Sequence, residues 1–324
     1  MEGGLNILIL SCGTRNKIVQ YFKQVLSGKG SVIATDASDL APALYESDKY
    51  FVVPKITADD YLATILKICK ENKVKAVLSL IDPELSLLSK HQQDFLNIGV
   101  MPIVSGYEVV ETCFDKYKMY EFLKQQGFNT IKSYINKDEF YKDKQDSLIN
   151  YPVFVKPVKG SASININKVF SDNEVDFLFD RYDNLMIQEY MDGTEYGIDA
   201  YIDLISEEIV SIFAKEKILM RAGETDKSKS VKNKELFDLV KNFIRAAKFK
   251  GIIDIDIFEK EGQFYISEVN PRFGGGYPHA FETGVNIPQM IVNNMQGNPN
   301  ICSVGEYVEG TYMMKYLDLK MISK

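Results

Sequence analysis

The sequence predicts an α/β protein with a doubly wound parallel sheet at its start and a β-rich region with an acidic hairpin near its end. In the first third, short apolar runs (residues 5–10, 31–35 and 76–80) alternate with helical stretches. This alternation is typical of a parallel sheet covered by helices on both faces. Later, residues 252–276 alternate in polarity and turn back near Gly262, which is the pattern of a β-hairpin.

The composition restricts the class of protein. The 324 residues are 45% hydrophobic and 26% charged, which predicts a globular protein of two or three compact units. The net charge of −7 comes without a basic tract, so we expect no nucleic-acid partner. No apolar run is as long as a membrane span, and the N-terminus has the pattern of a first strand, not of a signal peptide. We therefore expect a cytoplasmic protein with no membrane partner.

The cysteines and the histidines argue against a cysteine metal site and a hydrolytic triad. The four cysteines are scattered without metal-ligand spacing, which indicates free thiols in a reducing compartment. The two histidines lie outside any nucleophile motif, which argues against a hydrolytic triad. The remaining inventory of carboxylates, lysines and arginines suits phosphate groups and Mg²⁺.

The hairpin concentrates carboxylates. Asp254 and Asp256 point to one face of its first strand, and isoleucines point to the other. A three-residue loop would pair Glu259 with Gln263, and would place Glu268 opposite Asp254 and diagonal to Asp256. Carboxylates at that range repel one another, and a divalent cation bound through oxygen removes the repulsion. An ordinary exposed acidic face is the alternative interpretation.

The residues after the hairpin favour the metal site. Asn270 adds an amide oxygen, Arg272 adds a cation, and three glycines follow. The segment from Glu268 to Arg272 resembles the metal-binding strand of the ATP-grasp superfamily. In that family an acidic residue about a dozen positions upstream completes the metal site, so the resemblance implies Asp256, Glu268 and Asn270 as metal ligands. Strand alternation alone does not choose between Asp254 and Asp256.

The same resemblance assigns the phosphate contacts. Lys116 opens a helix and Lys156 ends a short apolar strand, forty residues apart, where the family places two phosphate-binding lysines. A loop of small residues follows, and its Gly160, Ser161 and Ser163 are expected to approach the phosphates. The family loop contains more glycine than this one.

The nucleotide contacts follow from the same comparison. Gln188, Glu189, Tyr190 and Met191 match the family hinge, whose backbone groups bind the adenine edge. Glu195 then matches the acid that bonds the ribose hydroxyls. A surface acid beside a turn is the alternative for Glu195.

Three other residues have two interpretations each. Arg221 follows a strand and could hold a substrate carboxylate or the transferred phosphate, or lie on the surface as an ordinary arginine. Glu84 could close the acceptor site, or simply stabilise the start of a helix. His279 could act as an acid or base, although a loop histidine bonded by backbone is the favoured interpretation.

The resemblance covers nearly the whole chain and implies an ATP-grasp fold of two α+β lobes after a doubly wound α/β domain. The implied boundaries are an N-terminal domain at 1–112, a small lobe at 113–186 and a large lobe with the metal site at 187–324. Within the first of these, residues 34–44 and 81–85 look like the domain that precedes the ATP-grasp fold in biotin carboxylase and carbamoyl phosphate synthetase relatives.

The implied activity is ATP-dependent ligation. The expected cofactors are ATP and one or two Mg²⁺, or Mn²⁺, and Lys156, Arg221 and Arg272 are the candidate catalytic residues. A carboxylate would be phosphorylated, and an amine would then displace phosphate; a homodimer is left open. The alternatives are phosphorylation of bicarbonate or carbamate, an ATP-binding regulator without catalysis, and an NAD-dependent protein. The sequence argues against an NAD-dependent protein, because the glycine after the first strand, Gly13, is not part of a Gly-x-Gly-x-x-Gly pattern.

Overall fold

The computed structural model describes residues 4–160 and 166–323. Ser161 and Ser163, both predicted to contact phosphates, lie outside the described residues. Within the described ranges, no helix combines the length and the apolar character needed to cross a bilayer.

The N-terminal domain is a five-stranded parallel sheet in the order β3-β2-β1-β4-β5. Its elements in chain order, with a 3-10 helix at Pro42–Glu46 before β3, are β1 (Asn6–Leu10), α1 (Asn16–Leu26), β2 (Val32–Asp36), β3 (Lys49–Val52), α2 (Tyr61–Glu71), β4 (Val74–Ser79), α3 (Asp82–Lys90), α4 (Gln92–Leu96), β5 (Met101–Pro102) and α5 (Tyr107–Phe114).

Strand β1 shows why this sheet is covered on both faces. Ile7 and Ile9 pack into an apolar cluster that includes Phe22 of α1. Leu8 packs into a second cluster that includes Ile65 of α2. Because successive side chains of a strand point to opposite faces, a continuous apolar strand requires this arrangement. The predicted doubly wound α/β domain is thus confirmed.

The small lobe is built on a four-stranded antiparallel sheet in the order β6-β9-β7-β8. Its core contains Val153, Val155 and Ile187, with Phe140 packed against them. The elements are α6 (Lys116–Gln125), β6 (Ser133–Tyr134), α7 (Lys137–Gln145), β7 (Val153–Pro157), β8 (Asn167–Val169), α8 (Asp172–Arg181) and β9 (Leu185–Glu189).

The large lobe is a six-stranded antiparallel sheet in the order β14-β13-β10-β11-β12-β15. Its elements are β10 (Thr194–Ile202), β11 (Ile209–Arg221), β12 (Glu224–Val231), α9 (Lys234–Ala247), β13 (Gly251–Lys260), β14 (Gln263–Asn270), α10 (Tyr277–Glu282), α11 (Ile287–Met295) and β15 (Tyr312–Met314). Helix α9 covers one face, where its Val240 and Phe243 share a cluster with Ile253 and Ile255 of β13.

The turn between β13 and β14 differs from the prediction. Lys260 pairs with Gln263, so the loop has two residues, Glu261 and Gly262, and the predicted three-residue loop is wrong. Both loop residues have positive φ, 52° and 76°, as a type I′ turn requires. The tighter turn changes the register of the whole hairpin.

A β-bulge then restores the carboxylates to one face. The register shifts beside Asp256, so that Ser267 is the extra residue of β14. As a result, Glu268 pairs with Asp256, and Asn270 pairs with Asp254. The predicted pairing of Glu268 with Asp254 is therefore wrong, whereas the prediction that three carboxylates and Asn270 share a face is confirmed by their common position in the cavity described next.

Candidate active site

A cavity of about 700 Å³, called the cleft below, collects side chains from all three parts of the chain. The N-terminal domain contributes Arg15. The predicted site residues that line the cleft are Lys116, Lys156, Gly160, Gln188, Glu189, Met191, Glu195, Asp256, Glu268, Asn270 and Arg272. Residues far apart in sequence are thus brought together, as expected from the order of the motifs.

Glu268 is a carboxylate of the cleft that is available to a ligand. Within residues 4–160 and 166–323, no hydrogen bond or ion pair at contact distance engages its side chain. Burial alone would raise its pKa, but the cations of Lys116, Lys156 and Arg272 outweigh burial and lower it. Glu268 is therefore an ionised oxygen donor surrounded by positive charge.

Lys217 on β11 is a site residue that was not predicted from the sequence. Its Nζ lies 2.6 Å from Oδ1 of Asp256 and 2.8 Å from Oε1 of Glu195. Burial would lower the pKa of Lys217, but these two carboxylates raise it well above its ordinary value. The available signal was strand alternation, which puts Lys215 and Lys217 on the same face of β11.

Lys156 is held in place by the small lobe. Its side chain is buried, and Nζ donates to Oε1 of Gln188 at 2.7 Å. Gln188 in turn donates to the hydroxyl of Ser133 at 3.1 Å. Burial lowers the pKa of Lys156, opposed by the charge of Glu268. Nearby, Lys116 donates to the carbonyl of Gly160, and both predicted lysines line the cleft.

Arg272 follows β14 and joins the large lobe to the N-terminal domain. Its Nε donates to Oδ1 of Asp82 at 2.9 Å and Nη2 donates to Oδ2 at 2.8 Å, which is a bidentate pair. Nη2 also lies 3.2 Å from Oδ1 of Asn270. Burial would lower the pKa of Arg272, but Asp82 raises it. The result is a fixed, permanent cation beside the carboxylates.

Two predicted residues do not line the cleft in the described structure. Tyr190 packs against Phe154, with ring centroids 5.6 Å apart, and has Nζ of Lys168 3.6 Å from its ring centroid. Arg221 has a side chain 57% exposed and lies 3.2 Å from Asp226. Their binding and catalytic roles stay predictions.

The other two open residues have structural partners. Glu84 is fully buried and accepts hydrogen bonds from the hydroxyls of Tyr61 and Ser79. His279 lies in helix α10 instead of the expected loop, with Nδ1 2.7 Å from the hydroxyl of Ser228. Burial lowers the pKa of His279 to about 4, so it is neutral at physiological pH.

Comparison with known families decides the classification. Residues 113–276, just over half of the 324, match the family described as ATP-grasp domain. This chain belongs to the ATP-grasp family. Residues 7–103 also match a domain described as PylC-like, N-terminal domain.

Individual ATP-grasp relatives have low sequence identity to this chain but match it over most of its length. A D-alanine–D-alanine ligase from a Nitratiruptor species is 23% identical over 322 residues, 90% of each chain. The arginine-specific carbamoyl phosphate synthase large chain of Geobacillus stearothermophilus is 23% identical over 239 residues, 68% of this chain and only 22% of that protein. The structure of N5-carboxyaminoimidazole synthetase from Staphylococcus aureus complexed with ADP superimposes with a TM-score of 0.77 at 17% identity, covering 98% of this chain and 83% of that one.

These comparisons confirm the predicted superfamily, the fold class and, at the level of the family, an ADP-forming carboxylate–amine ligase. They do not name this chain's substrates, and the roles of individual residues rest on the geometry described above.

The ATP-grasp cleft also offers suitable oxygen donors for a metal. Across the described ranges, no group of three His, Cys, Asp or Glu side chains is arranged to hold an ion. The candidate set is instead two carboxylates, Asp256 and Glu268, which face each other across the hairpin, and the amide of Asn270. Mg²⁺ usually takes one or two carboxylates and completes its shell with water and substrate phosphates, so this set fits it.

Proposed function

We propose that this chain is an ATP- and Mg²⁺-dependent ligase that joins an amino-acid-like carboxylate to an amine through an acyl phosphate. The observation that carries the proposal is the convergence of two lysines, a carboxylate pair and a fixed arginine in one cleft. This combination neutralises a triphosphate and the charge that develops when its last group is transferred.

In the first step, an oxygen of the substrate carboxylate attacks the γ-phosphorus of ATP. The bond from the γ-phosphorus to the βγ-bridging oxygen breaks, and ADP leaves with that electron pair. Lys116 and Lys156 neutralise phosphate oxygens, and Arg272 stabilises the transferring group. Asp256, Glu268 and Asn270 would hold Mg²⁺, which neutralises charge between the phosphates when bound.

In the second step, the neutral nitrogen of the amine forms a bond to the acyl carbon. The bond between that carbon and the phosphate oxygen breaks, the departing phosphate takes the electron pair, and the nitrogen passes a proton to that phosphate. Because water would hydrolyse the acyl phosphate, this step needs a cleft closed between the lobes.

The nucleotide assignments belong to the same proposal. Glu189 and Met191 line the cleft where the hinge joins the two lobes, which supports backbone contacts to adenine. Glu195 lines the cleft and holds Lys217, and we assign it to the ribose hydroxyls. Gly160 lies beside Lys116, as a phosphate-loop residue should.

A second candidate is phosphorylation of bicarbonate or carbamate. The match to a carbamoyl phosphate synthase large chain favours it, although this chain spans only 22% of that protein. The match to D-alanine–D-alanine ligase, which covers 90% of both chains, favours amino-acid substrates.

The test is an ADP-release screen of the purified chain with ATP and Mg²⁺. Pairs of amino acids, bicarbonate with ammonia, and a no-substrate control are run side by side. The proposal predicts ADP release that depends on a carboxylate and an amine together, with the amide product detected by mass spectrometry. ATP binding without substrate-dependent ADP release in any arm would contradict it.

A further inference from the structure

Asp254 is a carboxylate in the cleft that the proposed chemistry does not use. It lies on β13 two residues before Asp256, and its side chain lines the cleft. Gly274 packs directly over it, since a Cβ at that glycine would lie 2.4 Å from Cγ of Asp254. In the described part of the chain, no group hydrogen-bonds to this carboxylate or lies within ion-pair distance of it.

The two lysines nearest Asp254 are committed to other acids. Lys215 is fully buried and forms an ion pair with Asp199, which faces Asp254 across β10 and β13. Lys217 lies between Asp256 and Glu195. Both lysines act on Asp254 from a distance, but neither makes an ion pair with it.

The two arginines in the neighbourhood are committed as well. Arg272 is bound in bidentate fashion by Asp82. Arg15 lies 2.5 Å from Glu224 and packs against Gly275. Asp254 is therefore a half-buried carboxylate without an ion pair of its own, among four cations that are each paired with another acid. A ligand with a positive charge would supply the missing partner.

The position of Asp254 points to the kind of ligand. Asp254 and Asp256 are two positions apart on one strand, so they lie on the same face, roughly 7 Å from each other. A small substrate molecule would fit between Asp254 and the proposed phosphate-transfer point beside Asp256. In an α-amino acid the ammonium group lies one carbon away from the carboxylate, so the molecule and one hydrogen bond together span about this distance when the carboxylate meets the γ-phosphate. Bicarbonate and simple carboxylic acids have no cationic group to offer.

We propose that Asp254 binds the ammonium group of an α-amino acid whose carboxylate is the one phosphorylated. This assignment rests on the proposed ligase function and names the substrate class for it. A carboxylate is the natural acceptor for an ammonium group in a shielded site, because the charge-assisted hydrogen bonds are strong there. The same contact excludes substrates that lack the cation.

The first test uses the unaltered protein. ADP release is measured with hydroxylamine as a common amine in every reaction, and with each of the twenty standard L-amino acids, the matching acid that lacks the amino group (propionate for alanine, for example), or bicarbonate. We expect turnover with at least one amino acid and turnover at least roughly 10²-fold lower in kcat/KM with its counterpart. Equal turnover with the counterpart would overturn the ammonium site and leave the ligase function standing. Turnover with bicarbonate alone would overturn the ammonium site and favour the second candidate function. A complete lack of substrate-dependent ADP release would overturn both.

The second test uses Asp254→Asn, which keeps the shape and removes the charge. We expect KM for the amino acid to rise roughly 10²–10³-fold, because one partner of a desolvated charge pair is lost. The Kd for Mg·ATP, measured by calorimetry, should stay within about threefold. Glu259→Gln is the matched control, since Glu259 lies on the same strand and bonds to Tyr196 outside the cleft; it should leave both constants unchanged. Equal weakening of Mg·ATP and amino acid in Asp254→Asn would identify a metal ligand and overturn the proposal.

Discussion

Arg272 carries the clearest prediction at the scale of one residue. Arg272→Ala should lower kcat roughly 10²–10³-fold, because a preorganised cation beside the transferred group is lost. Arg245, exposed on α9 and far from the cleft lining, provides the control, and Arg245→Ala should be unaffected. Steady-state ADP release measures both, and near-wild-type turnover in Arg272→Ala would refute its role.

His279 predicts a pH dependence of stability. Its pKa in the folded chain is about 4, against an ordinary value of about 6.5, so the unfolded chain binds the extra proton between these values. The stabilisation is complete above pH 6.5 and is lost as the pH falls towards 4, by roughly 3 kcal/mol in total.

Urea unfolding at pH 7.0 and pH 4.5 measures this effect. His279→Gln removes the titrating group, so its unfolding free energy should change less between the two pH values than that of the wild type. Parallel changes in the two proteins would show that His279 does not titrate as described.

Site residues that belong to a continuous sequence motif could be predicted from the sequence. Site residues whose role depends on a contact with a distant part of the chain could not. Lys156, Glu268 and Arg272 were predicted because they stand in linear motifs that resemble those of the ATP-grasp family. Lys217 and Asp82 were missed because their roles come from strands and domains brought beside them by the fold. No local pattern shows which carboxylate a buried cation will meet.

At the scale of elements, the hairpin shows where local reasoning fails. A two-residue turn needs positive φ at both positions, and here a glutamate, Glu261, occupies one of them with φ of 52°. The sequence offers only one glycine there, so a three-residue loop was the reasonable expectation. Tertiary pairing of β13 and β14 imposes the tighter turn at some cost in backbone strain.

That strain is testable. Glu261→Asn should stabilise the chain by about 0.5–1 kcal/mol, because asparagine followed by glycine is favoured in this turn type. Lys260→Asn, which changes the neighbouring paired position instead, should not stabilise. Urea unfolding compares the two, and equal effects would mean that the turn conformation is not the source.

At the scale of the molecule, strand and helix periodicity predicted the doubly wound domain, and motif order predicted the two lobes. The contact between the N-terminal domain and the large lobe could not be predicted, because it depends on how separately folded surfaces meet. The pair between Asp82 and Arg272 is a buried polar part of that contact.

Removing one partner should therefore affect the whole chain. Asp82→Ala should lower the free energy of unfolding by about 3–5 kcal/mol, because the buried guanidinium of Arg272 loses its bidentate partner. Lys320→Ala, which removes a more exposed ion pair with Glu46 at 2.9 Å, should cost less than about 1 kcal/mol. Chemical denaturation distinguishes them, and similar losses would contradict the buried-pair argument.

The central claim is that one cleft binds a triphosphate through a metal held by Asp256, Glu268 and Asn270. Calorimetric titration of ATP into the wild type and into Glu268→Gln, each with and without Mg²⁺, tests it most directly. We expect Mg²⁺ to strengthen ATP binding to the wild type and to have no such effect on the variant. Equal strengthening in both proteins would contradict the claim.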